Sequence, residues 1–201
     1  ANDKTHRLMN TLRRVCVYCA SSTQIDPAYA EEQLAYDQAA AQLSDHTFAE
    51  ALETQFAAKL LYVTWQGFCW NLDCRFMVEQ GWCHKGLTEL IETADMHERK
   101  EVMARLSDGT VALPGGVGTL EELLEIITWK QLGLYDKPVV ILNARGYFDP
   151  LLAMFRRAVD ERFMRPQHAG LWTVASTPAE AVEQLLVTPL WDKNLRKFAA
   201  L

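Results

Sequence analysis

An α/β fold is what this sequence predicts: a doubly wound parallel sheet with helices on both faces, Rossmann-like in its order of elements. Three observations lead there. Short apolar runs at Val15–Cys19, Thr110–Leu113 and Lys137–Leu142 read as strands buried on both faces. Segments of helical composition, several with cap signals, separate them. The run Thr110-Val-Ala-Leu-Pro114-Gly-Gly-Val-Gly118-Thr119-Leu-Glu-Glu122 reads as strand, glycine turn and helix in succession. With 201 residues and a hydrophobic fraction of 49%, one domain spanning 1–201 is the economical reading.

Taken in order, residues 1–13 are polar and basic and read as a loose arm. Val15–Cys19 is the first strand. The small, hydroxylic Ala20-Ser21-Ser22 follows it, as expected at the carboxyl end of a first strand in such a sheet. Asp26-Pro27 opens an Ala-rich helix to about Leu43, with proline in its first turn. Residues 44–75 show no clear series of strand, turn and helix. Within them 48–61 has helical composition, Leu61–Trp65 is compatible with a strand, and the aromatic text of 65–74 fits no element. Local disorder or a different structure is expected there. Phe76–Leu90 reads as a loop containing Glu79, His84 and Thr88. Asp95 is a plausible cap for a helix through Met103. After the strand Lys137–Leu142, the turn Asn143–Pro150 leads into a helix Leu151–Arg162, and Leu171–Ala175 is a last short strand. Thr177-Pro178-Ala-Glu180 is a capping box that opens a helix to about Val187. Ligands in such sheets bind beyond the carboxyl ends of the strands, so Ser21, Ser22, the turn at Gly115–Thr119 and Asn143 should face one crevice.

The glycine turn carries the first functional signal. Pro114 ends the strand by removing a ladder donor, and Gly115, Gly116 and Gly118 permit a sharp turn and close approach of a ligand. The first amides of the following helix lack partners within it, and the positive end of its dipole suits a phosphate. No Gly-Lys-Ser/Thr follows, which excludes the nucleoside-triphosphate loop, and Glu121 stands where the dinucleotide pattern needs its third glycine. An anion site for a monophosphate is inferred; a plain strand-to-helix turn is the other reading. On the helix, Leu120, Leu123, Leu124 and Ile127 have core spacing, with Glu122, Ile126 and Trp129 together on the opposite face. A second apolar strip needs a cover, and a partner subunit is the obvious one. Glu122 within it is placed for chemistry, or is a solvated surface glutamate.

Composition bounds the partners. A formal net charge of −6, without a basic run, argues against nucleic acid. No apolar run is long enough to span a membrane, and no signal-peptide pattern is present. The five cysteines are odd in number and match no paired zinc pattern. Cys16 and Cys19 lie in an apolar strand and read as small core residues. A reduced, cytoplasmic setting is expected, with no metal site.

Two motifs, Met96-His-Glu-Arg99-Lys100 and Pro114-Gly-Gly-Val-Gly-Thr-Leu-Glu-Glu122, together closely resemble the LOG family. Its members were long labelled lysine decarboxylases and are known as phosphoribohydrolases of cytokinin riboside 5′-monophosphates and of AMP. The flanks agree: Val15–Ser22, Leu87–Leu90, Ile127–Gly133 and Gly146–Leu152. The resemblance covers residues 14–43 and 76–190. It implies that Arg99 and Glu122 form the catalytic pair. It implies further that Gly115, Gly116, Val117, Gly118, Thr119, Leu120 and Glu121 hold the phosphate and ribose, and that Lys100, Thr128 and Glu79 are substrate-binding positions. A homodimer with sites near the subunit interface is implied as well. The departure lies at 44–75, where the family's Gly-Gly-Gly-x-x-Gly-Leu-Met loop is missing and Gly67 is the sole glycine. A shifted reading frame or a local replacement would produce such text.

The expected activity is therefore N-glycosidic hydrolysis of a nucleoside 5′-monophosphate, with no cofactor. The alternative is a protein of the same fold that binds such a nucleotide but is catalytically impaired, which the altered middle favours. Decarboxylation is a weak third option: it normally needs pyridoxal phosphate on a lysine, and neither Lys100 nor Lys130 sits in a recognisable site for one.

Overall fold

The computed structural model describes residues 14–19, 24–41, 62–64, 69–74, 79 and 89–198. The strands are β1 (Arg14–Tyr18), β2 (Tyr62–Thr64), β3 (Cys69–Cys74), β4 (Glu89–Thr93), β5 (Gly109–Ala112), β6 (Val139–Leu142) and β7 (Thr173–Ala175). The α-helices are α1 (Pro27–Ala41), α2 (Met96–Leu106), α3 (Val117–Gln131), α4 (Asp149–Asp160) and α5 (Pro178–Val187). The strands form one seven-stranded sheet in the order β4-β3-β2-β1-β5-β6-β7.

The half of the sheet from β1 through β5 and β6 to β7 is parallel throughout. Alternation along β1 sends its side chains to two separate cores. Val15 and Val17 pack with Tyr36 and Ala40 of α1 and with Ala181, Val182 and Leu185 of α5. Cys16 and Tyr18 face the other side, with Met103 of α2, Leu123 and Ile126 of α3, and Leu152 and Phe155 of α4. Helices therefore cover both faces, as the fold class requires.

The other half holds the surprises. Leu61–Trp65 contains the strand β2, but it runs antiparallel to both β1 and β3. The expectation that 65–74 forms no element is corrected, because β3 lies there and pairs in parallel with β4 from Trp70↔Glu89 to Cys74↔Thr93. The reading of Phe76–Leu90 as loop is corrected at its end, where β4 begins at Glu89. The arm at 1–13 and the helical reading of 48–61 lie outside the described residues.

Helix ends obey the capping rules. Asp95 is the N-cap of α2 and accepts from the amides of His97 and Glu98 at 2.8 and 2.9 Å, while the Glu98 carboxylate accepts from the Ala94 amide at 2.6 Å. The same device recurs at α5: Thr177 Oγ1 accepts from Glu180 N at 3.2 Å, and Glu180 Oε2 accepts from Ser176 N at 2.7 Å. In both, the carboxylate reaches one residue before the cap. At the far end of α2 the Lys137 ammonium donates to the carbonyls of Ala104 (2.9 Å), Arg105 (3.2 Å) and Ser107, satisfying carbonyls that the last turn leaves over.

Candidate active site

The chain runs outward from β1 through β2 and β3 to the edge strand β4, then returns to place β5 on the other side of β1. The crevice at such a reversal is where doubly wound sheets bind their ligands. Two bonds mark it here. Leu113 N donates to Tyr18 O at 2.8 Å, and the buried Thr119 hydroxyl donates to Cys19 O at 3.0 Å. The start of α3 is thus tied to the end of β1.

The glycine turn between β5 and α3 lies at this point. Gly116 is the N-cap of α3, in extended conformation (φ −82°, ψ −158°), and lends no side chain to the cap. None of Gly115, Gly116 and Gly118 has positive φ. Among the described residues, a Cβ added at Gly116 or Gly118 would meet no atom within 4 Å beyond its own chain neighbours and helix backbone. The turn itself therefore does not demand glycine at 116 and 118, which corrects the expectation of a sharp glycine-dependent bend. Close approach of a group other than the described residues is a physical reason for glycine at both positions. Gly116, Val117 and Gly118 are exposed, Val117 at 83%, whereas Thr119 is buried.

Arg99 comes from the first turn of α2 and Glu122 from the second turn of α3. These two helices precede and follow β5, and they bring Arg99 Nη1 to 3.3 Å from Glu122 Oε1. Both are almost completely buried, at 1% and 4% exposure. Burial pushes the Glu122 carboxyl up to about 7, and the Arg99 guanidinium offsets only part of it. Near neutral pH the Glu122 carboxyl is therefore only partly ionised, in spite of its guanidinium partner. Beneath the pair is Cys16 of β1. Burial, with Glu122 second, pushes its thiol far up, so it stays protonated and inert.

Lys100 stands beside the pair, buried, with its ammonium 2.5 Å from Glu121 Oε1 and 2.9 Å from Glu125 Oε2. Burial alone would lower its pKa, but the two carboxylates outweigh that and the net shift is upward. Glu125 is a member of this cluster that sequence reasoning missed. Its spacing of four from Glu121 on one helix was the available signal.

Not every expected residue joins. Thr128 lies six residues beyond Glu122, exposed, its hydroxyl donating to Leu124 O at 2.8 Å. Leu120 is half-buried. Glu79 is described and exposed, but its neighbours on both sides are not among the described residues, and neither are Ser21 and Ser22. Asn143 is committed to its own loop: its amide donates to Asp149 Oδ1 at 2.8 Å, and its carbonyl oxygen accepts from Phe148 N at 2.7 Å. Tyr147 is a second residue missed from the sequence. Its hydroxyl donates to Gly115 O at 2.6 Å.

The expected second strip on α3 is also corrected. Ile126 is 2% exposed and belongs to the core of this chain, Trp129 packs against that same core, and Glu122 is buried beside Arg99. Leu124, expected inside, is 41% exposed.

Fold and site together define a doubly wound α/β protein. An exposed glycine turn at a helix N-terminus lies at its switch point, with a buried cation–carboxylate pair beside it. Comparison with known proteins narrows that class. Residues 55–185 match the family model described as "Possible lysine decarboxylase". The "Probable cytokinin riboside 5'-monophosphate phosphoribohydrolase LOGL6" of Oryza sativa subsp. japonica is 35% identical over 200 residues, covering 94% of this chain and 77% of that one. The "Cytokinin riboside 5'-monophosphate phosphoribohydrolase LOG5" of Arabidopsis thaliana is 37% identical over 182 residues, covering 86% and 77%. A shorter match, 54% identical over 97 residues, joins 48% of this chain to 40% of the rice protein named as probable phosphoribohydrolase LOGL2. The chain belongs to the LOG family.

Proposed function

We propose that this protein is a phosphoribohydrolase. On this reading it hydrolyses a nucleoside 5′-monophosphate, AMP or a cytokinin riboside 5′-monophosphate, to ribose 5-phosphate and the free base. The observation that carries the reading is the buried Arg99–Glu122 pair at the second turn of α3, just beyond a glycine turn left open to a ligand. The relatives' names point the same way. Water adds its oxygen to C1′ of the ribose, the C1′–N bond breaks, and the water proton ends on the departing base. The transition state is oxocarbenium-like, so a carboxylate close to the ring stabilises it. Glu122 supplies that charge and takes a proton from the water; a pKa of about 7 suits it to both tasks near neutral pH. Arg99 orients the carboxylate and contacts substrate oxygens. The amides from Gly116 to Thr119 hold the phosphate, and Lys100, tied to Glu121 and Glu125, is a further substrate-binding position beside them. No metal or redox cofactor enters this chemistry.

The second reading, a nucleotide-binding protein with impaired catalysis, is favoured by the missing glycine-rich loop and by the reversed strand β2 in the same stretch. Incubating the purified protein with AMP separates the two. Release of free adenine supports the hydrolase, and intact bound AMP supports the binding protein.

We also propose a cytoplasmic homodimer. Leu124 is exposed on α3 one turn from Lys100's partner Glu121, and Val117 continues the same apolar surface. Leu124→Glu is expected to halve the mass seen by light scattering. An unchanged mass would exclude this face as the interface.

A further inference from the structure

We propose that Tyr147 is a positioning residue for the glycine turn: its hydroxyl holds the Gly115 carbonyl and so aims the Gly116 amide into the crevice. The inference rests on the phosphate reading of that turn. Its own observation is the 2.6 Å bond from Tyr147 Oη to Gly115 O, which joins the β6–α4 loop to the β5–α3 turn across 32 residues. In a trans peptide the C=O and the following N–H point in opposite directions. Fixing the Gly115 oxygen towards Tyr147 therefore fixes the Gly116 hydrogen away from it. A Gly-Gly peptide is otherwise free to rotate, because neither residue has a Cβ to oppose it.

The tyrosine is itself held from several sides. Arg145 and Gly146 both adopt left-handed backbone, at φ 56° and 73°. The first is uncommon for a residue with a side chain, and such strain concentrates at functional loops. A Cβ at Gly146 would lie 2.6 Å from Asp149 Oδ2, and Asp149 is in turn fixed by Asn143. The Tyr147 ring meets Phe148 edge-on at 5.0 Å and Tyr29 of α1 edge-on at 5.5 Å, with the Arg145 guanidinium 5.7 Å from the Tyr29 ring centre. Three segments that converge on the crevice thus meet at one half-exposed side chain.

Tyr147→Phe keeps the ring contacts and removes only the hydroxyl. Two readouts test it: ribose 5-phosphate affinity by calorimetry, and kcat/KM on AMP beside that on adenosine, which lacks the phosphate. Affinity for ribose 5-phosphate and kcat/KM on AMP are expected to fall roughly 3–10-fold, the size of one neutral hydrogen bond. Adenosine turnover and the melting temperature should stay as in the parent. Unchanged ribose 5-phosphate affinity would overturn the proposal, and so would an equal loss on adenosine. If the parent binds ribose 5-phosphate but hydrolyses nothing, the hydrolase reading fails, and the affinity comparison still decides the role of Tyr147.

Discussion

The Glu122 carboxyl is where burial and charge compete most sharply. Burial raises it from an ordinary value of 4.5 to about 7, against the pull of Arg99. A folded-state pKa above the unfolded one means that folding takes up a proton between those two values. Stability should therefore fall as pH rises from about 4.5 to about 7 and then level off, by roughly 3 kcal/mol in all for this one group. Glu122→Gln has no proton to exchange and should lose that slope. Urea unfolding of both proteins across pH 4.5–7.5 checks it; parallel curves would place Glu122 outside the titration. The same value sets activity, because only the ionised carboxylate can stabilise an oxocarbenium ion. On substrate, kcat/KM should rise with pH through an apparent pKa near 7. None of this was legible in the sequence. The motifs paired Arg99 with Glu122, but how deeply the pair is buried depends on packing that no spacing reveals.

Helix α3 shows how an element can be recognised while its orientation is misread. The glycine turn and a helix following it were plain from the residues, although the helix begins at Val117, two residues before Thr119. Its inward face was not plain. The buried positions are Thr119, Glu122, Leu123, Ile126, Ile127 and Lys130, a regular i, i+3, i+4 stripe. Three of the six are polar, so the apolar pattern pointed to Leu120 and Leu124 instead and rotated the helix. Glu122 is inside because Arg99 meets it, and Lys130 because the Trp191 ring lies 5.8 Å from its ammonium. Ile126→Ala should then cost about 2–5 kcal/mol, as for a core isoleucine, and clearly more than Leu124→Ala, which removes no side chain from this chain's core. Chemical denaturation measures both, and the reverse order would restore the first orientation. The strands β3 and β4 escaped notice for a related reason. Cys69-Trp-Asn-Leu-Asp-Cys74 and Glu89-Leu-Ile-Glu-Thr93 mix charged and polar residues into short runs. For β4, an edge strand, that is the usual protection of an open edge.

At the scale of the whole molecule, the parallel half of the sheet and the site share one cause. The chain reverses direction across the sheet between β4 and β5, and the glycine turn and the buried Arg99–Glu122 pair lie at that reversal, beside β1. That half was readable because its strands are continuously apolar and its turns carry specific chemistry. In the other half β2 runs against its neighbours, in a stretch without the family's glycine-rich loop. The central claim is that the crevice works by charge on Glu122 rather than by binding alone. Its most direct test compares the parent with Glu122→Gln in two assays, adenine release from AMP and AMP affinity by calorimetry. Release is predicted to fall by on the order of 10²–10⁴-fold, with affinity little changed because the phosphate is held by backbone amides. Release of adenine at the parental rate by Glu122→Gln would contradict the account.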